Sequence, residues 1–297
     1  MRDVNLRSGR GLSRHALFVA VAALFLTGTW LSAQATQPAA PKPAPAPPTQ
    51  APATPPKPDA SKKLPAQQID DARGLPPART IIDRYIEAMG GRKAILAHTS
   101  SHLSGTMTVT GSGLTGAVEI YGAKPDKSLV KINLGGIGDL FEGFDGINAW
   151  SISPMTGPML TQGKELDEKK FDADFYSDLH DPARYTSMKT VEKMTFEGRP
   201  CYKVSLVKKD GGEDIEFFDV ATGLKAGAMM TRESQMGPIS ATQALSDYKK
   251  FGELLLPTTM KQSQMGVDQI VKVTMIEFDN VAPSTFDPPA QIKALIK

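Results

Sequence analysis

The sequence predicts a mainly β, α+β protein: an antiparallel meander of about ten or eleven strands, with one helix ahead of it and one inserted midway. Three observations predict this. Beyond residue 100 apolar and polar residues alternate, glycine-containing turns punctuate the alternating runs, and two stretches carry apolar residues at helical spacing instead.

Residues 1–35 read as an export signal. Arg2, Arg7, Arg10 and Arg14 precede the apolar run Ala16 to Leu26, and Ala33-Gln34-Ala35 offers a cleavage site. The alternative is an uncleaved inner-membrane anchor, but Thr27, Gly28 and Thr29 cut the run short of the roughly 20 apolar residues a spanning helix needs. Cleavage implies a periplasmic protein beginning near Thr36. Removing four Arg and one Asp takes the formal charge from +2 to about −1. A near-neutral chain without a basic stripe gives no electrostatic reason to bind nucleic acid. Cys201 is the only cysteine, so an internal disulfide is impossible and stability rests on a packed core.

Residues 36–74 form a Pro/Ala-rich linker, with "KPAPAPP" and "ATPPKP" as its clearest pieces. Such a composition buries no core, and residues 36–60 could reach on the order of 80 Å as an extended polyproline tether. A passive disordered leader is the alternative. The folded domain is expected over residues 75–297.

That domain opens with "LPPARTIIDRYIEAMGG". Pro76 and Pro77 suit a helix entry, Ile82, Tyr85, Ile86 and Met89 recur at helical spacing, and Gly90-Gly91 is a stop. A helix over 79–89 is expected, then a shorter turn in "RKAILAH". The meander follows: Leu103, Met107 and Val109; Leu114, Val118 and Ile120; Val130, Ile132 and Leu134. In "LFEGFDGINAW", Asp145-Gly146 predicts a two-residue type I′ corner, with Trp150 on the returning strand. The glycine-rich "LGGIGDLFEG" joins strands and lacks the spacing of a nucleotide loop, which makes it a bent or bulged strand.

"GKELDEKKFDADFYSDLHDP" is charged and carries Leu166, Phe171, Phe175 and Leu179 at roughly helical spacing, so a second helix is expected over 164–179. His180 would cap its C-terminal end. Strands resume in "FEGRPCYKVSLVKKDGGEDIEFFDVATGLKAGAMM" and continue over 239–248, 254–264 and 269–278. A short terminal helix is expected in "DPPAQIKALIK".

No catalytic, metal or cofactor site emerges. His98 and His102 flank a helix-to-strand passage without the Glu of H-E-x-x-H, no G-x-S-x-G occurs, and Cys201 has no local His. A hydrolase or metalloprotein would need the fold to gather residues such as His98, His102, Asp139 and Asp145. The scattered methionines fill a core or line a cavity that accepts irregular guests.

The pieces "IIDRYIEAMGG", "GFDGINAWSISPMTG", "FEGRPCYKVSLVKKDG", "FFDVATGLKA", "YKKFGELLLPTTM" and "DNVAPSTFDPP" together resemble the outer-membrane lipoprotein-sorting carriers of the LolA/LolB-like fold. The resemblance covers most of residues 78–289. It implies a curved sheet or half-barrel whose concave apolar face, covered by the two helices, accepts acyl chains without catalysis or cofactor. It further implies transient contact with a membrane surface.

On that reading the β-strand side chains expected to line the trough are Met107, Val109, Val118, Ile120, Val130 and Ile132 from the first block. Trp150, Phe217, Met229, Met260, Val273 and Met275 complete the set. Ile82, Tyr85, Ile86 and Met89 belong to the first covering helix, and Leu166, Phe171 and Phe175 to the second. Each assignment depends on strand parity, because a one-residue slip exchanges the faces. The function expected is a non-catalytic periplasmic carrier or binding protein for lipid, lipoprotein acyl chains or another hydrophobic ligand. The alternative is a cell-envelope sensor or scaffold that binds a protein partner with the same fold.

Overall fold

The structure, a computed structural model, describes residues 74–234 and 237–296. The expected signal peptide and almost all of the expected linker lie outside the described residues. Helix α1 runs from Ala78 to Ala88 and buries Ile81, Ile82, Tyr85 and Ile86. Gly90 and Gly91 end it at φ +128° and +83°, a conformation that favours glycine. Helix α2, Gly91–Ala97, follows at once.

The strands are β1 (Ser100–Val109), β2 (Leu114–Ala123), β3 (Lys127–Leu134), β4 (Gly138–Phe144), β5 (Ala149–Ser153) and β6 (Gly157–Thr161). Helix α3, Gly163–Asp172, and two 3-10 turns, Ser177–Leu179 and Pro182–Arg184, interrupt them. Then come β7 (Tyr185–Phe196), β8 (Arg199–Lys208), β9 (Glu213–Asp219), β10 (Lys225–Arg232) and β11 (Ile239–Ser246). The chain closes with β12 (Lys249–Phe251), β13 (Leu254–Leu256), β14 (Thr259–Gln264), β15 (Val267–Phe278), a 3-10 turn at Pro283–Phe286 and α4 (Ala290–Lys293).

Among the described residues thirteen strands form one open antiparallel sheet, in the order β6-β5-β4-β3-β2-β1-β15-β14-β11-β10-β9-β8-β7. The single non-sequential junction in its first half, β1 against β15, joins two meanders into one surface. The sheet is thus larger than the ten or eleven strands expected. Strand β7 was invisible because two register shifts, at Tyr185/Ser187 and Thr190/Glu192, scramble its alternation. The run 254–264 divides at Pro257, since its first residues form the separate β12-β13 hairpin.

The inserted helix is shorter than the sequence suggests. It stops at Asp172, and the chain continues through the 3-10 turns to Arg184, with His180 in the left-handed region at φ +48°. Its charged sequence buries Glu168 and Asp172, so it docks through ion pairs as well as apolar contact. The glycine-rich stretch after Leu134 is a turn into β4 rather than one bent strand.

Two layers cover the face of the sheet that we call inner. Helices α1 and α2 pack on Val204, Leu206 and Phe218 of β8 and β9, together with Leu254 and Leu256 of the small hairpin. Backbone pairing fixes that hairpin, since Leu255 N–H donates to Met89 O at 2.8 Å. A Cβ at Gly90 would meet Glu253 O at 2.4 Å, so only glycine permits this approach. Helix α3 and the chain to Leu179 lie over the other wing: Leu166 packs with Phe144 and Ala149, and Phe175 lies against Gly122. The outer face of β2–β6 is covered by the C-terminal segment, where Phe286 and Ile292 pack on Leu129 and Trp150.

Candidate functional site

Strand register sorts the inner face into rows. Leu103, Ile120 and Val130 are direct cross-strand partners, as are Val118 and Ile132, and Leu245, Met260, Val271 and Met107 form another row. These side chains belong to one buried apolar cluster that spans β1–β3, β11, β14 and β15. It is continuous because each of these strands alternates in phase with its neighbour.

The other wing of the inner face is charged. Asp214 and Glu216 of β9 share it with Ala228, Met230 and Arg232 of β10, and Lys225 sits at its edge. Arg232 is the centre of one cluster: Nε and Nη2 donate to the two oxygens of Asp172 at 2.8 and 3.0 Å, while Nη1 and Nη2 donate to Asp214 at 2.5 and 3.0 Å. Lys225 is the centre of the second. Its Nζ lies 3.0 Å from Asp178 and 3.3 Å from Glu216, the Tyr85 hydroxyl donates to Asp178 at 2.7 Å, and His180 Nε2 lies 2.7 Å from Glu216.

Burial by itself would raise the Glu216 carboxyl, yet His180 and Lys225 outweigh it and hold Glu216 down at about 2. Burial would likewise lower Lys225 and Arg232, but their paired carboxylates keep both above their ordinary values. Burial and the adjacent Asp178 push the Tyr85 phenol up, so it remains protonated and donates. The cations and carboxylates of the two clusters are thus paired with one another.

Both clusters tie the cover to the sheet. Asp172 and Asp178 come from the inserted segment, and Arg232, Lys225 and Glu216 from β9 and β10. On the opposite wing Lys169 of α3 pairs with Glu142 of β4, so α3 straps one wing of the sheet to the other. Between cover and sheet lies a cavity of about 120 Å³. Its walls are Leu103, Leu245, Met260 and Ile276 on one side, Ala228, Met230 and Gln243 on another, and Tyr85, Met89 and Phe171 from the cover. Asp172, Asp178, Arg184, Lys225 and Arg232 border it as well.

Of the trough residues expected from sequence, Met107, Val109, Val118, Ile120, Val130, Ile132, Met260 and Val273 are brought together in the inner apolar cluster. Met260 also borders the cavity. Four others lie elsewhere. Trp150 pairs with Gly143, whose row continues to Leu129 and Tyr121 on the outer face, beneath the C-terminal segment. Phe217 stacks on Phe196 in an outer cluster, with ring centroids 4.0 Å apart. Met229 and Met275 point to solvent, 47% and 37% exposed. For Trp150, Phe217 and Met229 the physical reason is parity, each sitting one position out of phase with the inner row of its strand, whereas Met275 shares the parity of Val273 and is turned outward by the register shift at Ser104/Gly105.

Of the covering residues, Ile82, Tyr85, Ile86, Met89 and Phe175 join the helix-side core, Phe171 borders the cavity, and Leu166 packs nearer β4 and β5.

The predicted type I′ corner is instead a four-residue loop. Asp145 Oδ1 accepts from Ile147 N–H and Asn148 N–H at 2.8 and 2.6 Å, and Gly146 alone in the loop has positive φ, +99°. His180 caps the 3-10 turn Ser177–Leu179 instead of an α-helix, and its ring is a buried member of the Lys225 cluster. His98, His102, Asp139 and Asp145 do not converge: His98 bonds Asp279, His102 stacks on Tyr121, Asp139 accepts from Asn133 and Asp145 holds its own loop. Among the described residues no group of three or more His, Cys, Asp or Glu is arranged to hold a metal ion. The charged clusters were not legible in the sequence because Asp172 and Asp178 of the inserted segment meet Arg232 and Lys225 only through the tertiary fold, 60 and 47 residues away.

This open antiparallel sheet with helices over one face is a fold that other solved structures share. In fold it is similar to a DUF1329 family protein from Desulfovibrio piger, at 14% identity and a TM-score of 0.52, with 72% of this chain and 98% of that chain covered. It also aligns with a LolA superfamily protein from Nitrosomonas europaea at 11% identity, a TM-score of 0.48 and coverage of 72% and 99%. A putative outer membrane lipoprotein-sorting protein domain from Vibrio parahaemolyticus aligns at 12% identity, a TM-score of 0.48 and coverage of 70% and 95%. These likenesses are of fold. No protein-family model matches the chain, and no curated protein does. No helix among the described residues is long and apolar enough to cross a membrane.

Proposed function

We propose that the protein is a non-catalytic, exported carrier or binding protein that holds the hydrocarbon part of a lipid, or of a lipoprotein acyl chain, between its inner sheet face and the strap α3. One observation carries this reading: the apolar rows of β1–β3, β14 and β15 run directly into a cavity closed by Tyr85, Met89 and Phe171. The cavity of about 120 Å³ matches a guest of roughly benzene size. A long chain therefore needs the strap and α1 to move away from the sheet, which extends the space along the apolar rows. Burial of a sixteen-carbon chain gains about 12 kcal/mol relative to water, and most of this is equally available in a bilayer. Exchange with a membrane surface thus needs no nucleotide hydrolysis.

The test is purification without detergent, organic extraction and mass spectrometry, together with uptake of the apolar dye N-phenyl-1-naphthylamine. Near-stoichiometric lipid or saturable dye uptake is expected. Lipid-free protein that takes up no dye overturns the reading and favours a module that binds a protein partner.

A further inference from the structure

The apolar rows of the inner face are interrupted by one row of a different chemistry. Gln243 of β11, Gln262 of β14 and Gln269 of β15 are direct cross-strand partners, and Val109 of β1 continues the row. Gln264 lies two residues beyond Gln262 on the same face, opposite Ala241. Gln243, Gln262 and Gln269 are 6%, 2% and 6% exposed. Gln243 borders the cavity and is the partner of Ala228, another of its walls.

Three of these four amides have unused hydrogen-bonding capacity. Gln262 Nε2 and Oε1, Gln264 Oε1 and Gln269 Oε1 are all buried without a partner in the protein. Buried amide groups without partners are expensive, and leucine or methionine of similar volume would fill the row without that cost. The neighbouring row on the same strands is Leu245, Met260 and Val271, so an apolar solution is in use one step away. With strands about 4.8 Å apart, the three side chains span roughly 10 Å across the sheet beside the hydrocarbon rows.

We propose that Gln243, Gln262, Gln269 and Gln264 form a polar subsite that binds the uncharged hydrogen-bonding part of an acyl glyceride, its ester carbonyl and free hydroxyls, while the chain lies on the adjoining apolar rows. An amide offers both donor and acceptor without charge, which matches carbonyl and hydroxyl partners together. An anionic headgroup fits less well, because Lys225 and Arg232 on this face are each held by two carboxylates that an anion would have to displace. This inference rests on the hydrophobic-ligand reading above.

The experiment measures displacement of N-phenyl-1-naphthylamine by 1-monodecanoylglycerol in the wild-type protein and in Gln262→Leu and Gln269→Leu. The dye reports the apolar trough and the glyceride reports the amide row. Loss of one amide is expected to weaken monodecanoylglycerol about tenfold, with dye affinity retained and the melting temperature equal or higher. Circular dichroism establishes which variants fold, and either folded variant suffices. Unchanged monodecanoylglycerol affinity with intact dye uptake overturns the subsite, leaving the row to ordered water, while the trough stands. Absence of dye uptake by the wild type overturns the trough and the subsite together.

Discussion

Trp150 shows how a single residue is governed by its strand. Its indole lies over Gly143, where an added Cβ would come within 2.4 Å of Cζ2, and it packs beneath Phe286 and Ile292. Gly143 is therefore required by close approach and not by backbone conformation. Gly143→Ala is expected to displace the ring and lower stability by about 1–3 kcal/mol, and Trp150→Ala by about 3–5 kcal/mol, both read from urea unfolding. Because the ring is on the outer face, dye uptake by folded Trp150→Ala should match wild type, and a clear loss would return Trp150 to the ligand trough. The aromatic character of this residue was legible in the sequence; its face was not. The four-residue Asp145 loop and the register of β4 with β5 decide it.

At the level of elements, the inserted segment is the part whose behaviour the charges control. Its side of the Arg232 cluster is Asp172, which is 7% exposed, and Arg232 itself is 4% exposed. Replacing Arg232 removes the cation between Asp172 and Asp214 and leaves Asp214 only Lys208, whose Nζ lies 3.7 Å away, a change that costs roughly 3–5 kcal/mol for a buried pair. Arg232→Ala should accordingly speed hydrogen exchange over residues 163–184 well before it affects β1–β3. Uniform acceleration across the sheet would show that the strap has no independent opening. The helix itself was visible from its apolar spacing, but its length was not, because the periodicity of Phe171, Phe175 and Leu179 persists through turns that are no longer α-helical. Strand β7 escaped notice for the converse reason: it is regular in pairing but shifted twice in register.

For the whole molecule, the buried clusters predict a pH window. Glu216 is held at about 2 against an ordinary value of 4.5, so its pairing contributes stability that is complete above pH 4.5 and is lost as pH falls toward 2. That contribution is on the order of 3 kcal/mol. Lys225 is raised by its carboxylates, so its share is complete below its usual 10.5 and is lost only as pH rises beyond it. Stability to urea should therefore fall as pH drops from about 4.5 toward 2. Glu216→Gln is expected to be less stable at pH 7 and to have a shallower acid limb; an acid limb identical to wild type would remove Glu216 as its source.

By itself the sequence determined the class of the fold: a largely antiparallel β domain entered through an amphipathic helix and interrupted by a charged one. Those features are local, since period, turn residues and composition act over a few neighbouring positions. Only the tertiary structure decided which face each strand turns inward, how β1 and β15 join the two meanders, and which acids meet Lys225 and Arg232. It also decided that three glutamines from separate strands become one buried row. These outcomes depend on pairing between residues as far apart as Asp172 and Arg232, or Val109 and Gln269, and a single register step reverses them.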